Sequence, residues 1–262
     1  MRFIWKRILA PLISFLPNKE HVYLPEDRPI PCIHFGTGAL AGFYQVGIAK
    51  YIQENYDLSH YDFSGVSAGS YCAALLAYNF TTLEIDDIVM NLIKSADEDH
   101  NFWETVNAKI TYNTGDIKKL ANSNLFIATT KLTPFPKRVF LTNFTSFQEA
   151  MEACKVSSHI PFLFGKPFIR YNGTLMCDGG ALGDRDLPEE RHPVVKINPD
   201  FWGREIENVY DWNTAYCLSL YKLGYSDSKS NKDILDLTFK DKYYSIINNG
   251  CGDENGTPCS DN

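Results

Sequence analysis

Three observations predict an α/β fold with a largely parallel central sheet. Short apolar segments alternate with helix-periodic ones along most of the chain. Two of the strand-to-helix joints, residues 36–42 and 65–69, are glycine-rich. The 262 residues, 44% of them hydrophobic, carry no internal repeat and are enough for one large domain or two small ones with a real core.

In chain order, residues 17–30 are polar, contain prolines and read as a linker. Pro31–Phe35 is short, apolar and bounded by glycine, a buried-strand signal. The glycine-rich segment 36–42 leads into 43–56, where Tyr44, Val46, Ile48, Ala49 and Ile52 recur at helical spacing. Asp62–Phe63 leads into the second glycine joint, and the Ala/Leu-rich stretch 71–79 follows as a helix. Thr81 and Glu84 make a capping-box pair that opens a helix over about 83–96. Residues 125–132 and 137–144 read as two strands around a proline-containing turn. A helix over 146–159 stops before Pro161. Strands are expected at 174–180 and 194–197, and a helix at 205–224 with Gly224 as its end. The domain is expected to span 31–246, between an N-terminal arm and linker (1–30) and a loose tail (247–262).

Composition narrows the function classes. Net charge is −7, which argues against broad nucleic-acid binding. The seven cysteines lack zinc or C-x-x-C spacing; five sit in apolar stretches and read as small buried hydrophobes, while Cys251 and Cys259 lie in the polar tail. Four N-x-[ST] sequons, starting at Asn79, Asn143, Asn172 and Asn255, decide little. The first 20 residues combine Arg2, Lys6, Arg7 and Lys19 with an apolar series broken by Pro11. They read as an interfacial membrane anchor, an arm packed on the domain, or a short signal lacking a cleavage site. The corresponding expectation is a cytoplasmic protein peripherally associated with membrane, with secretion as the alternative.

Three motifs carry chemistry. Gly65-Val66-Ser67-Ala68-Gly69 is a G-x-S-x-G nucleophile elbow between a short apolar segment and a helix. Its bland reading is a serine N-cap in a glycine-rich turn. Gly36-Thr37-Gly38-Ala39-Leu40-Ala41-Gly42 aims several backbone N–H groups at one place. It suits an oxyanion hole, a dinucleotide fingerprint with Asp62 as its acid, or a structural turn. Asp178-Gly179-Gly180 sets a carboxylate at a strand end, or is a plain Asp-Gly turn.

In this order the motifs resemble the patatin-like phospholipase family over roughly residues 31–190. EACKVSSHIPFLF (152–164) is similar to the segment before that family's catalytic aspartate, and Asp184–Pro188 is a looser match to the segment after it. The resemblance implies a three-layer α/β/α patatin-like fold and a lipid acyl hydrolase with no metal or cofactor. It makes Ser67 the nucleophile, Asp178 the base, and the N–H groups around Thr37, Gly38 and Ala39 the oxyanion donors. The expected partners are an acyl-lipid substrate and a membrane surface, by way of residues 1–20. Two departures stand out: Thr37 and Ala39 replace common glycines, so a positive φ there would be costly, and Ala41 replaces a basic residue. Two other readings remain: a lipid-binding module without turnover, and a Ser–Asp–His hydrolase using His192. The remaining histidines (21, 34, 60, 100, 159) read as structural or exposed. Aromatic stretches at 101–103, 162–164 and 201–202 read as core or as an acyl channel.

Overall fold

The computed structural model describes residues 30–98, 124–162, 166–182, 191–210 and 213–241. The arm of residues 1–20, the linker up to residue 29, the 101–103 stretch, the 184–188 match, Cys251, Cys259 and the tail from 247 lie outside the described residues, so the limits of the 31–246 domain lie partly there too.

Strand β1 (Ile30–Phe35) runs into helix α1 (Gly42–Asn55) through the glycine-rich segment. Strand β2 (Asp62–Val66) runs into α2 (Ala68–Ala77), and α3 (Thr82–Glu98) follows. The Thr81–Glu84 capping box forms: Thr81 N–H donates to the Glu84 carboxylate at 2.8 Å, and Glu84 N–H donates back to Thr81 Oγ1 at 3.3 Å. Strands β3 (Leu125–Lys131) and β4 (Lys137–Leu141) make the expected hairpin. Helix α4 (Phe147–Ser157) starts at a Ser146 cap that accepts from Glu149 N–H. A short strand not anticipated from sequence, β5 (Ile169–Tyr171), pairs with β6 (Thr174–Cys177). Strand β7 (Arg191–Ile197) and helices α5 (Thr214–Ser230) and α6 (Lys232–Asp236) complete the elements.

β1 lies between β2 and β7 and is parallel to both, and β3 is parallel to β2. β4, β5 and β6 pair antiparallel, so the sheet is more mixed than the alternation of elements suggests. The connections explain the difference. The tight turns β3–β4 and β5–β6 permit only antiparallel pairing, whereas the parallel strands are separated by helices.

The register around β3 positions everything that follows. β4 covers residues 127–131 of β3 along one edge. A strand has two edges, so β2 and β6 share the other. β2 pairs as far as Val66 with Ala128, and β6 pairs Cys177 with Thr130. The two strands run toward each other along that edge, and their C-terminal ends abut at Thr129.

The core lies between sheet and helices and includes Phe35, Tyr44, Ile48, Phe63, Phe80 and Ile127, all essentially without solvent contact. Each such side chain contributes about 1.5–3 kcal/mol through burial. Helix α5 departs from expectation at both ends. It begins at Asn213, whose side chain accepts from Tyr216 N–H at 2.9 Å, and it passes straight through Gly224. Gly224 is a crossing point, not a terminus: a Cβ there would collide with the Tyr44 carbonyl of α1, and one on Gly47 would collide with the Tyr221 carbonyl of α5. Among the described residues, no helix is long and apolar enough to cross a membrane.

Candidate active site

Ser67 sits between the fully buried β2 and the first turn of α2 with φ 54° and ψ −129°. A non-glycine residue held there stores about 1–3 kcal/mol of strain. A capping serine has extended backbone and bonds an amide of the first turn. Ser67 has neither feature, because its side chain makes no capping bond. Ser70 ties the turn instead, donating through its N–H and its hydroxyl to the Ser67 carbonyl at 2.9 and 2.6 Å. The motif glycines are there for closeness. A Cβ on Gly65 would stand 2.5 Å from the Gly69 carbonyl oxygen, and one on Gly69 would run into the carbonyls that end β1. The plain N-cap reading therefore fails.

The Ser67 N–H donates to Ser157 Oγ at 2.8 Å, and the Ser157 hydroxyl donates to the Ala128 carbonyl at 2.6 Å. The last residue of α4 thus fixes the elbow to β3. Sequence reading missed this residue, since a serine near a helix end looks like ordinary surface.

Asp178 follows the end of β6. Its N–H donates to the His159 carbonyl at 2.8 Å, its carbonyl accepts from Thr130 Oγ1 at 2.9 Å, and its Oδ1 accepts from the Gly180 N–H at 2.7 Å. Thr129 Oγ1 donates to the Cys177 carbonyl at 2.9 Å. The Asp-Gly-Gly turn then crosses the end of β3. A Cβ on Gly179 would collide with the Ala128 carbonyl and stand 3.0 Å from Val66 Cγ1, and one on Gly180 would stand 2.5 Å from Thr37 Cγ2. Arg138 on β4 donates from Nη2 to the Gly179 carbonyl at 2.9 Å. The three sequence motifs therefore converge: the residues flanking Ser67 and Asp178 touch, and the glycine-rich loop lies against the same turn. Both side chains are buried.

The loop itself is anchored at its two ends. Gly36 N–H donates to Ile197 O, Leu40 N–H to Val209 O, and Ala41 N–H to Gly38 O, at 2.9–3.0 Å. Gln45, wholly buried in α1, donates from Nε2 to the carbonyls of Gly36 and Ile197 at 3.1 and 3.3 Å. That glutamine stands out in the sequence as a polar residue on an apolar helical stretch, though no motif marks it. Ala39 has φ 47°, so the anticipated strain is realised there, while Thr37 is not among the positive-φ residues. Gly42 opens α1 where a Cβ would stand 2.7 Å from Ala68 Cβ, which packs the loop onto the elbow.

The competing readings separate on register. Asp62 is the first residue of β2, away from the loop at the far end of β1, and its Oδ1 accepts from the N–H and Nδ2 of Asn124 at 2.8 and 3.1 Å. It is a strand-start clamp, not a ribose acid. His192 pairs with Pro31 at the N-terminal end of β7, opposite to the edge that carries Ser67, so the Ser–Asp–His reading loses its histidine. The five described cysteines are all buried, and burial pushes the thiols of Cys154 and Cys177 up to about 12, so they read as packing groups.

A family model described as patatin-like phospholipase matches residues 35–189, well over half of the chain, and so spans the loop, the elbow and the Asp-Gly-Gly turn. The chain belongs to the patatin-like phospholipase family. Its mixed α/β architecture, a central sheet flanked by helices, is the patatin-like fold. No curated protein matches this patatin-like chain. Among solved structures it is similar to VipD from Legionella pneumophila, at 12% identity and a TM-score of 0.43, covering 72% of this chain and 55% of that one. It is also similar to the heterodimeric complex ExoU-SpcU from the type III secretion system of Pseudomonas aeruginosa, at 13% identity and a TM-score of 0.45, covering 82% of this chain and 53% of that one. The chain thus spans about half the length of these proteins.

Proposed function

We propose that this patatin-like chain is a lipid acyl hydrolase that cleaves carboxylic esters through a Ser67 acyl-enzyme, with Asp178 as the only base. The observation that carries the reading is the junction at Thr129. A strained serine whose hydroxyl caps nothing ends one strand, and the strand that abuts it end to end leads into a buried aspartate.

The chemistry follows from the groups present. Ser67 Oγ attacks the ester carbonyl carbon and its proton passes to Asp178. The carbonyl oxygen becomes an oxyanion held by the amides of residues 37–39, between the anchored Gly36 and Leu40. The intermediate collapses, the ester C–O bond breaks, and Asp178 returns the proton to the leaving alkoxide. Water then attacks the acyl-serine as its proton moves to Asp178. The second intermediate expels Ser67, which takes that proton back. An ordinary aspartate, near pKa 3.9, is a poor base for an alcohol, so preorganised amides must supply most of the acceleration. The α2 N-terminus beside Ser67 favours the negative charge that develops there.

The experiment is turnover of p-nitrophenyl and phospholipid esters, together with fluorophosphonate labelling. The wild-type chain hydrolyses and is labelled, and Ser67→Ala does neither. Turnover retained in Ser67→Ala refutes the assignment. The strained Ala39 and the missing basic residue at position 41 favour one rival, a binding module on the same scaffold. A wild-type chain that binds lipid but resists the label establishes that rival.

A further inference from the structure

The family reading leaves unexplained how charge and exposed aromatics are distributed around the catalytic edge. Residues 125–148 hold Lys131, Lys137 and Arg138 and no acid, and residues 153–177 hold Lys155, Lys166 and Arg170 and no acid, on a chain of net charge −7. Lys137, Lys155, Lys166 and Arg170 are exposed. The intervening acids, Glu149 and Glu152 of α4, face Tyr171 of β5, where burial and their charge push the phenol up, so Arg170 has acids beside its strand while Lys137 and Lys166 lie on the segments without acids. The same two stretches carry three of the most exposed large apolar side chains in the described residues: Phe135 at 75%, Phe162 at 73% and Phe168 at 40%.

The fold brings Phe135, Phe162 and Lys166 to the side of the sheet that carries Ser67 and Asp178. β3 continues past Thr129, so its turn with β4, which bears Phe135 between Pro134 and Pro136, projects beyond the Ser67 edge. β6 runs alongside, with Leu132 N–H donating to Leu175 O at 2.9 Å, so the β5–β6 turn projects the same way. The Lys166 carbonyl accepts from His159 Nε2 at 2.9 Å and from the Phe162 N–H at 3.4 Å, which holds Phe162 and Lys166 beside His159. The carbonyl of that same His159 receives the Asp178 N–H.

We propose that this basic, phenylalanine-tipped rim docks the protein on an anionic lipid bilayer. Water-exposed phenylalanines held on turns beside lysines suit the interface, where rings enter the headgroup layer and the cations meet lipid phosphates and carboxylates. Complementary charge argues for a membrane over a protein partner: these two stretches are basic on a chain of net charge −7, so an anionic bilayer attracts them while repelling the acidic remainder of the protein. The inference rests on the hydrolase reading of the site for its purpose, but its measurement does not.

The test is sedimentation of the full chain, in the Ser67→Ala background, with phosphatidylcholine vesicles and with vesicles containing phosphatidylserine. The expected result is binding to the anionic vesicles that weakens as salt rises. Lys137→Glu/Lys166→Glu lowers partitioning at least about 20-fold, on a scale of about fivefold per basic residue at an anionic surface. Phe135→Ser/Phe162→Ser/Phe168→Ser lowers it about 10-fold on both kinds of vesicle. The charge variant alters only exposed side chains and decides the matter if the aromatic variant fails to fold. With Ser67 restored, both variants turn over a soluble p-nitrophenyl ester as wild type does. Sedimentation unchanged by either variant, or indifferent to phosphatidylserine, overturns the docking surface. A wild-type chain inert toward the soluble ester overturns the hydrolase reading and leaves the vesicle result standing.

Discussion

The junction at Thr129 and the crossing of α1 with α5 are both places where the chain demands glycine for close approach, to different ends. At the junction, Gly65, Gly69, Gly179 and Gly180 let three turns press together around a strained Ser67, and the turn residues come from short, recognisable motifs. At the crossing, Gly47 and Gly224 let two helices touch backbone to backbone, and no motif announces either. Beside the crossing, buried Tyr44 donates to the buried carboxylate of Asp227 at 2.8 Å, and the exposed Arg204 donates to both of its oxygens. That pairing holds Asp227 below the usual carboxylate range. One region uses its constraint to bring together Ser67 and Asp178, the residues proposed to react. The other spends it on holding a helix that never reaches the site. The first should fail in rate and the second in stability.

The sharpest break between them is Asp178→Asn. The side chain keeps its size and can still accept from the Gly180 N–H, so the fold is retained, but it takes no proton from Ser67. Ester turnover should fall on the order of 10³-fold or more, with the thermal midpoint within a few degrees of wild type. A variant with near-normal kcat removes Asp178 from the mechanism.

The mirror experiment is Gly224→Ala. The added methyl meets the Tyr44 backbone, not a movable side-chain tip, so α1 and α5 must separate. The cost should be about 3 kcal/mol, the upper end for overpacking, measured by denaturant unfolding. Activity per folded molecule should stay near wild type. Full stability in this variant, or a loss of rate without a loss of stability, erases the distinction drawn between the regions.

That contrast also explains what was legible in the sequence. Ser67, Asp178 and the 36–42 loop could be picked out as candidates because each is defined by neighbours within a few residues. The helix cap at Thr81–Glu84 was legible for the same reason. Gly224 was misread as a helix end because its partner, Tyr44, lies far away in the chain, and a glycine alone does not say what approaches it. Strand β5 was missed because three residues carry no periodicity, and it exists through pairing with β6. Ser157, Thr130, Arg138 and Gln45 escaped because each acts on the backbone of a distant motif. The abutting of β2 and β6 is a property of register, which no local pattern encodes.

The smallest expected effect probes where the two kinds of constraint meet. His159 is buried and structural: its ring donates to Lys166 O and its carbonyl receives the Asp178 N–H. Burial, the largest cause, lowers its pKa. The folded protein therefore binds this proton less readily than the unfolded chain, whose histidine titrates near pH 6.5. Above about pH 6.5 neither state carries the proton and the contribution to stability is complete. As pH falls, the unfolded chain is protonated first, and stability drains away until the pH has passed below the lowered value. His159→Gln keeps a donor for Lys166 O and removes the titration. The thermal midpoint of wild type should therefore fall relative to that of the variant between about pH 7 and pH 5. A difference that stays flat across that range removes His159 titration from the stability of the segment beside Asp178.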